Sequence, residues 1–247
     1  MPVLVTSDEL DSLLRRCFER GGLDAADAAR VAEVLVDANL RANEAHGVAR
    51  APAYLRRLSA GAAAGGDSIR PAAGAGAVRR LDAGSALGPL AASRACELAI
   101  ELAGAHGVGL VAVGNSSHLG AAGFYARWIA AREMIALVAT NGPAGMAPYG
   151  ARERFLGTNA FAVAAPVGGK EQLGIDLSCS VVARGKIMRA RELGERLEPG
   201  LAVDDRGEPT TDPAAALAGA VLPFAGPKGS GLALAISLSV GLLAEAR

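Results

Sequence analysis

The chain has 247 residues, enough to bury a substantial core as one α/β domain or two smaller ones. Lys+Arg and Asp+Glu both total 25, so the formal net charge is zero and nothing points to a nucleic-acid or anionic-membrane partner. Hydrophobic residues make up 51% and aromatics only 4%, a globular rather than disordered balance that leans on alanine.

The opening "MPVLVTSDEL" lacks the basic start and apolar run of a signal peptide. Thr6 and Glu9 form a T-x-x-E capping box that opens the helix "SDELDSLLRRCFERGG", and Gly21-Gly22 stop it. A second helix starts near Asp24, with Val31, Val34, Leu35 and Ala38 on one face. It is predicted to run out at His46-Gly47, with Gly47 as a left-handed cap, and Pro52 suits the first turn of a short third helix. "SAGAAAGGDSIRPAAGAGA" has no periodicity and reads as a linker, so a domain boundary is placed near residue 72, dividing a helical segment 1–72 from a mixed α/β segment 73–247.

Strand and helix patterns then alternate: "AVRRLDA", "GPLAASRACELAIELAGAHG", "VGLVAVGN", "LGAAGFYARWIAARE" and "MIALVATN". "FAVAAPV" and "QLGIDLS" read as a strand pair across a "GGKE" turn, which makes the sheet mixed. "SVVARGKIMRARELG" is helical in pattern, and the apolar "GLALAISLSVGLLAEA" reads as a buried helix too short for a membrane span. Cys17, Cys96 and Cys179 are far apart, show no metal spacing and read as reduced thiols of a cytoplasmic protein.

G-x-G-x-x-G, a P-loop and G-x-S-x-G are all missing, and three histidines without paired carboxylates exclude a catalytic metal site. His106 reads as a helix C-terminal residue favoured by the helix dipole. His118, in "GNSSHLG", sits where a strand leads into a helix, a place for function or for a helix start capped by Ser116 or Ser117. His46, Arg50 and Tyr54 recur every four residues, about 1.1 helical turns. Imidazole, guanidinium and phenol on one face could move a proton while pinning a carboxylate, but an ordinary helix surface has the same spacing. Asn141, Thr158 and Asn159 are hydrogen-bonding groups in a long Gly/Pro-rich segment. Asp176 lies in an apolar stretch, and Lys228 opens a helix that suits a phosphate or plain solvation.

Seven stretches together resemble one family. "AHGVARAPAY", "NSSHLGAAGFYA", "ATNGPAGMAPYG", "FLGTNAFAVAAP", "IDLSCSVVARGKI", "VDDRGEPTTDP" and "PFAGPKGSGLAL" occur in the order expected of the type-2 malate/L-lactate dehydrogenases. That group includes sulfolactate and ureidoglycolate dehydrogenases and cyclic-imine reductases. The resemblance implies a mixed-sheet, non-Rossmann nicotinamide-binding fold of the sulfolactate dehydrogenase type. It implies an NAD- or NADP-dependent oxidoreductase interconverting a 2-hydroxy acid and a 2-oxo acid, assembled as a homodimer. His46 and His118 match the reaction-centre histidines, with His118 favoured as the acid–base group. Arg50 would clamp the substrate carboxylate, Tyr54 would orient the substrate, and Thr158 would lie near it. His118, Leu119, Gly120, Ala121 and Ala122, then Asp176, Leu177 and Ser178, then Pro227 and Lys228 match segments that contact the cofactor. Imine reductases commonly carry Ser where this chain has Ala45 and a relay Asp where it has Lys186, so a carbonyl substrate is expected. Family members continue past the Lys228 helix, which keeps a second expectation open: a nucleotide-binding or interaction protein without hydride transfer.

Overall fold

The computed structural model describes residues 4–168 and 171–244. The chain divides by compactness into two units. The first comprises Met1–Ala136, Ala164–Leu173 and Leu243–Ala246; the second comprises Leu137–Val163, Gly174–Leu242 and Arg247. The boundary expected near residue 72 falls inside the first unit, because the helix that follows it packs on the N-terminal helices.

In the first unit, Thr6 and Glu9 close the expected capping box on helix α1 (Ser7–Arg20), which ends at Gly21. Asp24 caps α2 (Ala25–Leu40) by accepting the Asp27 N–H at 2.8 Å. Leu14, Phe18, Val31 and Leu35 are buried between them with Tyr54, Leu87 and Leu90. Each large apolar side chain buried here contributes about 1.5–3 kcal/mol.

Helix α2 stops six residues before the predicted end. Ala42 turns left-handed at φ 56°, and the Asn43 N–H bonds back to Ala38 O at 2.8 Å. Two single 3₁₀ turns follow, Glu44–His46 and Val48–Arg50, before α3 (Ala51–Ser59) begins with Pro52 in its first turn. Gly47 is not a left-handed cap: its φ is −93°. It is glycine for space, since a Cβ there would sit 1.9 Å from Asn39 Oδ1.

Part of the expected linker is strand β1 (Arg70–Ala75), antiparallel to β2 (Val78–Asp82). All of β1 is exposed, so no hydrophobic alternation marks it. Helix α4 (Gly88–His106), ended by left-handed Gly107, crosses from β2 to the parallel strand β3 (Leu110–Gly114). Among the described residues the strands form three small sheets rather than one large one, and the sheet of β1, β2 and β3 is mixed. Helix α5 (Ala122–Ala130) follows the His118 segment.

Strands β4 (Ala136–Thr140), β5 (Ala160–Gly168) and β6 (Glu171–Ser178) form the second sheet in that order. The centre of the expected "GGKE" turn, at positions 169 and 170, lies outside the described residues. The second unit also holds α6 (Arg184–Leu193), β7 (Ala202–Val203), β8 (Pro209–Thr210), α7 (Pro213–Ala218) and β9 (Ala220–Val221). Its core gathers Met146, Cys179, Ile187, Val221 and Ile236.

Helix α8 (Pro227–Ala244) corrects the reading of its sequence as a buried helix. Its inward stripe is made of Gly229, Ala233 and Ile236, while Leu234, Leu238 and Leu242 are exposed. Small residues let the helix sit close to its support and leave the leucines outside. It is the one described helix long and apolar enough to cross a membrane by length and composition.

Candidate active site

The four residues singled out around the histidines meet within the first unit. They do not share one helical face, as the spacing suggested. His46 ends one 3₁₀ turn, Arg50 ends the next and Tyr54 lies in α3. Asn39 fixes this turn pair: its Oδ1 accepts the Val48 N–H at 2.7 Å. The chain then returns after β3 to bring in His118. The His46 and His118 rings stack with centroids 5.4 Å apart at 17°. The Tyr54 hydroxyl contacts His118 Nδ1 at 2.8 Å and His118 O at 3.0 Å.

Three close approaches seat His118. A Cβ on Gly88, the first residue of α4, would stand 2.3 Å from His118 O and 2.4 Å from Ser117 O. The Gly88 N–H donates to Ser117 Oγ at 3.0 Å, so Ser117 ties the loop to α4 rather than orienting the ring. Gly120 is left-handed at φ 90°, and a Cβ on it would lie 2.8 Å from Val34 Cγ1. Tyr125, fully buried, donates to Leu119 O at 2.6 Å. The Gly88–Ser117 and Gly120–Val34 approaches were not legible in the sequence, because they join residues distant along the chain.

The hydrogen bonds assign tautomers. Gly120 donates its backbone N–H to His118 Nδ1 at 3.2 Å. A backbone N–H cannot change role, so Nδ1 keeps its lone pair and the neutral ring carries its proton on Nε2. The Tyr54 hydroxyl is then the donor to Nδ1 or to the carbonyl. His46 is the opposite: Nδ1 meets Asn43 Oδ1 at 2.8 Å, which puts the proton on Nδ1 and the lone pair on Nε2. Asn43 was one of two neighbours expected to orient His46.

Burial pushes the His118 pKa down from 6.5 to about 3, and the positive charge of Arg50, with that of His46 whenever its ring is protonated, pushes the same way. The residue keeps a solvent-exposed side, which moderates the first effect without reversing its direction. Burial also raises the Tyr54 phenol above its usual range, against a smaller opposing pull from Arg50, so it stays a neutral donor. The Arg50 Nε donates to Ala45 O at 2.6 Å, which fixes the guanidinium by that nitrogen and leaves its two terminal nitrogens as further donors.

The depressed His118 value carries a stability consequence. The unfolded chain titrates near 6.5 and the folded chain lower, so the unfolded state binds more protons between the two values. The His118 contribution is complete above pH 6.5 and is lost as pH falls toward 3. Melting temperature should fall more steeply from pH 6.5 to 4 in the wild type than in His118→Asn. Equal slopes would contradict the shift.

The remaining expected residues divide. Gly120, Ala121 and Ala122 are buried, and what they do in the structure is turn the chain into α5. Leu119 is half-buried. In the second unit, Thr158 is half-buried and its carbonyl accepts the Cys179 N–H at 2.7 Å. Asp176 is exposed on β6 rather than buried, in a run from Leu173 to Asp176 that is exposed on both faces of the strand. Leu177 and Ser178 are half-buried, and the Ser178 hydroxyl contacts Ser180 Oγ at 3.0 Å. Pro227 and Lys228 are exposed in the first turn of α8. No group of His, Cys, Asp and Glu suited to a metal occurs among the described residues.

A family model described as malate/L-lactate dehydrogenase matches residues 5–247. An L-sulfolactate dehydrogenase of Methanocaldococcus jannaschii is 41% identical, over 90% of this chain and 64% of its own length. A (2R)-3-sulfolactate dehydrogenase (NADP(+)) of Chromohalobacter salexigens is 38% identical, over 96% of this chain and 71% of its own. A ureidoglycolate dehydrogenase (NAD(+)) of Escherichia coli O157:H7 is 35% identical, over 97% and 68%. The crystal structure of a dehydrogenase from Sinorhizobium meliloti superimposes with a TM-score of 0.94 at 34% identity, covering 98% of this chain and 71% of that one. The chain thus spans roughly two thirds of the length of these relatives, as little as 64% in one case.

Proposed function

The chain belongs to the malate/L-lactate dehydrogenase family, and from that premise we propose that it interconverts a 2-hydroxy acid and a 2-oxo acid with NAD or NADP. The observation that carries the reading is the convergence of His46, Arg50, Tyr54 and His118, with the two imidazoles stacked and in opposite tautomers. When bound, the nicotinamide supplies or accepts the hydride.

The protein groups divide the remaining work. Arg50 binds the substrate carboxylate through its terminal nitrogens. His118, kept neutral by its surroundings, offers Nε2–H as a hydrogen bond to the oxygen on C2. His46 offers a lone pair at Nε2 that can take the hydroxyl proton during oxidation and return it during reduction. The Tyr54 hydroxyl lies against both His118 Nδ1 and the His118 carbonyl and donates to one of them, which holds the residue in place. This division gives the acid–base role to His46, where the sequence reading favoured His118. Asp176 and Lys228 would hold the cofactor's ribose and phosphates. Ala45 and Lys186 support a carbonyl rather than an imine substrate.

The test is NADH and NADPH fluorescence on mixing with the protein, followed by a screen of pyruvate, oxaloacetate and sulfopyruvate. Saturable binding and turnover of one of these acids is expected, with Arg50→Lys raising the Michaelis constant while cofactor affinity holds. No binding of either nucleotide would sink the reading. We also propose a homodimer, seated on the exposed leucines of α8; a 24.8 kDa particle in light scattering at every concentration would exclude it.

A further inference from the structure

Outside the histidine site, four arginines contribute to the lining of one hollow of the first unit. Arg70 on β1, Arg79 and Arg80 on β2, and Arg94 on α4 line a cavity of about 200 Å³ that also takes in Leu81 and Leu98. No carboxylate lines it among the described residues. On the β1 side, Gly74 stands opposite Arg79 and Ala73 opposite Arg80, so that strand sets no bulky side chain against them. Arg94 and Leu98 are four apart on α4 and share its face.

The guanidinium groups are held in advance. Arg79 Nη1 donates to Gly76 O and Val78 O, both at 2.8 Å, and Arg70 Nη1 donates to Ile69 O at 3.0 Å and to Asp67 O. Each anchor uses one nitrogen, which leaves Nε and Nη2 as a donor edge. Fixing the groups beforehand lowers the ordering cost of a ligand. Two arginines have acidic neighbours: Glu97 reaches Arg94 at 3.3 Å, an exposed pair of little strength, and Asp82 lies near Arg80. The lining itself thus presents guanidinium groups and no carboxylate, over an apolar floor.

We propose that this hollow binds a small phosphate-bearing metabolite carrying two or more negative charges, with Leu81 and Leu98 receiving its apolar part. Guanidinium forks match phosphate oxygens two at a time, and several arginines select multiple charge. No lining residue belongs to the proposed active site, so binding here does not depend on turnover.

Calorimetric titration of the whole chain with pyrophosphate and with inorganic phosphate, at ionic strength fixed with chloride, tests the site. One saturable site is expected, with pyrophosphate at least tenfold tighter than phosphate. Arg79→Gln with Arg94→Gln should weaken pyrophosphate at least tenfold, with circular dichroism unchanged; Arg94→Gln alone, on the exposed face of α4, should weaken it in part. Saturating NADH should leave the pyrophosphate isotherm unaltered. Heat that tracks ionic strength alone, equal affinity in the variants, or displacement by NADH would each overturn the proposal. The last outcome would assign the anion to the cofactor's own site.

Discussion

His46→Ala is expected to lower the turnover number by about 10²-fold or more and to remove the pH dependence near neutrality. A group that takes a proton in the transition state affects the chemical step more than ground-state binding, so the Michaelis constant should change little. His118→Ala should behave differently. Its pKa is held below the usual imidazole value by burial and by Arg50, so the near-neutral limb of the profile should survive. The rate should still fall, because a hydrogen bond to the reacting oxygen and a stacking partner are lost. The measurement is a pH–rate profile of both variants after each is shown to bind NADH. A flat profile in His118→Ala beside a normal one in His46→Ala would reverse the two roles.

The second large effect is expected far from any charged group. Gly88→Ala adds one methyl where backbone oxygens stand 2.3 and 2.4 Å away, and neither atom belongs to a flexible side chain. Either α4 or the Ser117–His118 backbone must move. Overpacking of this kind costs about 1–3 kcal/mol. A shift of about 1 Å at the histidine can cost about 10²-fold in rate. Gly104→Ala on the same helix is the control, since a Cβ there meets nothing within 4 Å. That change should leave activity intact and stabilise the helix by about 0.4–1 kcal/mol. Melting curves and steady-state rates for the pair decide the matter; equal behaviour of the two variants would remove Gly88 from the argument.

The sequence was most informative where local chemistry determines structure. The Thr6 and Glu9 box, the Gly107 cap and the helix of "GPLAASRACELAIELAGAH" all rest on neighbours within a few residues. It was least informative where partners are distant. Strand β1 exists because β2 pairs with it, and its Gly/Ala-rich, wholly exposed residues carry no alternation to detect. The turn after α2 was misplaced because Asn39 holds Val48 across it through a side chain. Resemblance to a family named His46, Arg50, Tyr54 and His118 together; spacing alone named the first three for a helical face they do not share. The tautomers that separate the two histidines depend on Asn43 and the Gly120 amide, and of these only Asn43 was within reach of sequence reasoning.

The contact between Tyr54 and His118 joins residues 64 apart, and between them lies the parallel pairing of β2 with β3 through α4. Helices α1 to α3 can form from short-range contacts, but the imidazole pair cannot meet until that crossover has closed. Long loops pay their closure entropy before the contact rewards them, and parallel pairing is slow for this reason. By this argument the histidine pair assembles only after the crossover between β2 and β3 has closed. A newly made or heat-stressed chain can be helical and compact while its two imidazoles are still apart, so secondary structure content alone is a poor gauge of whether the site exists.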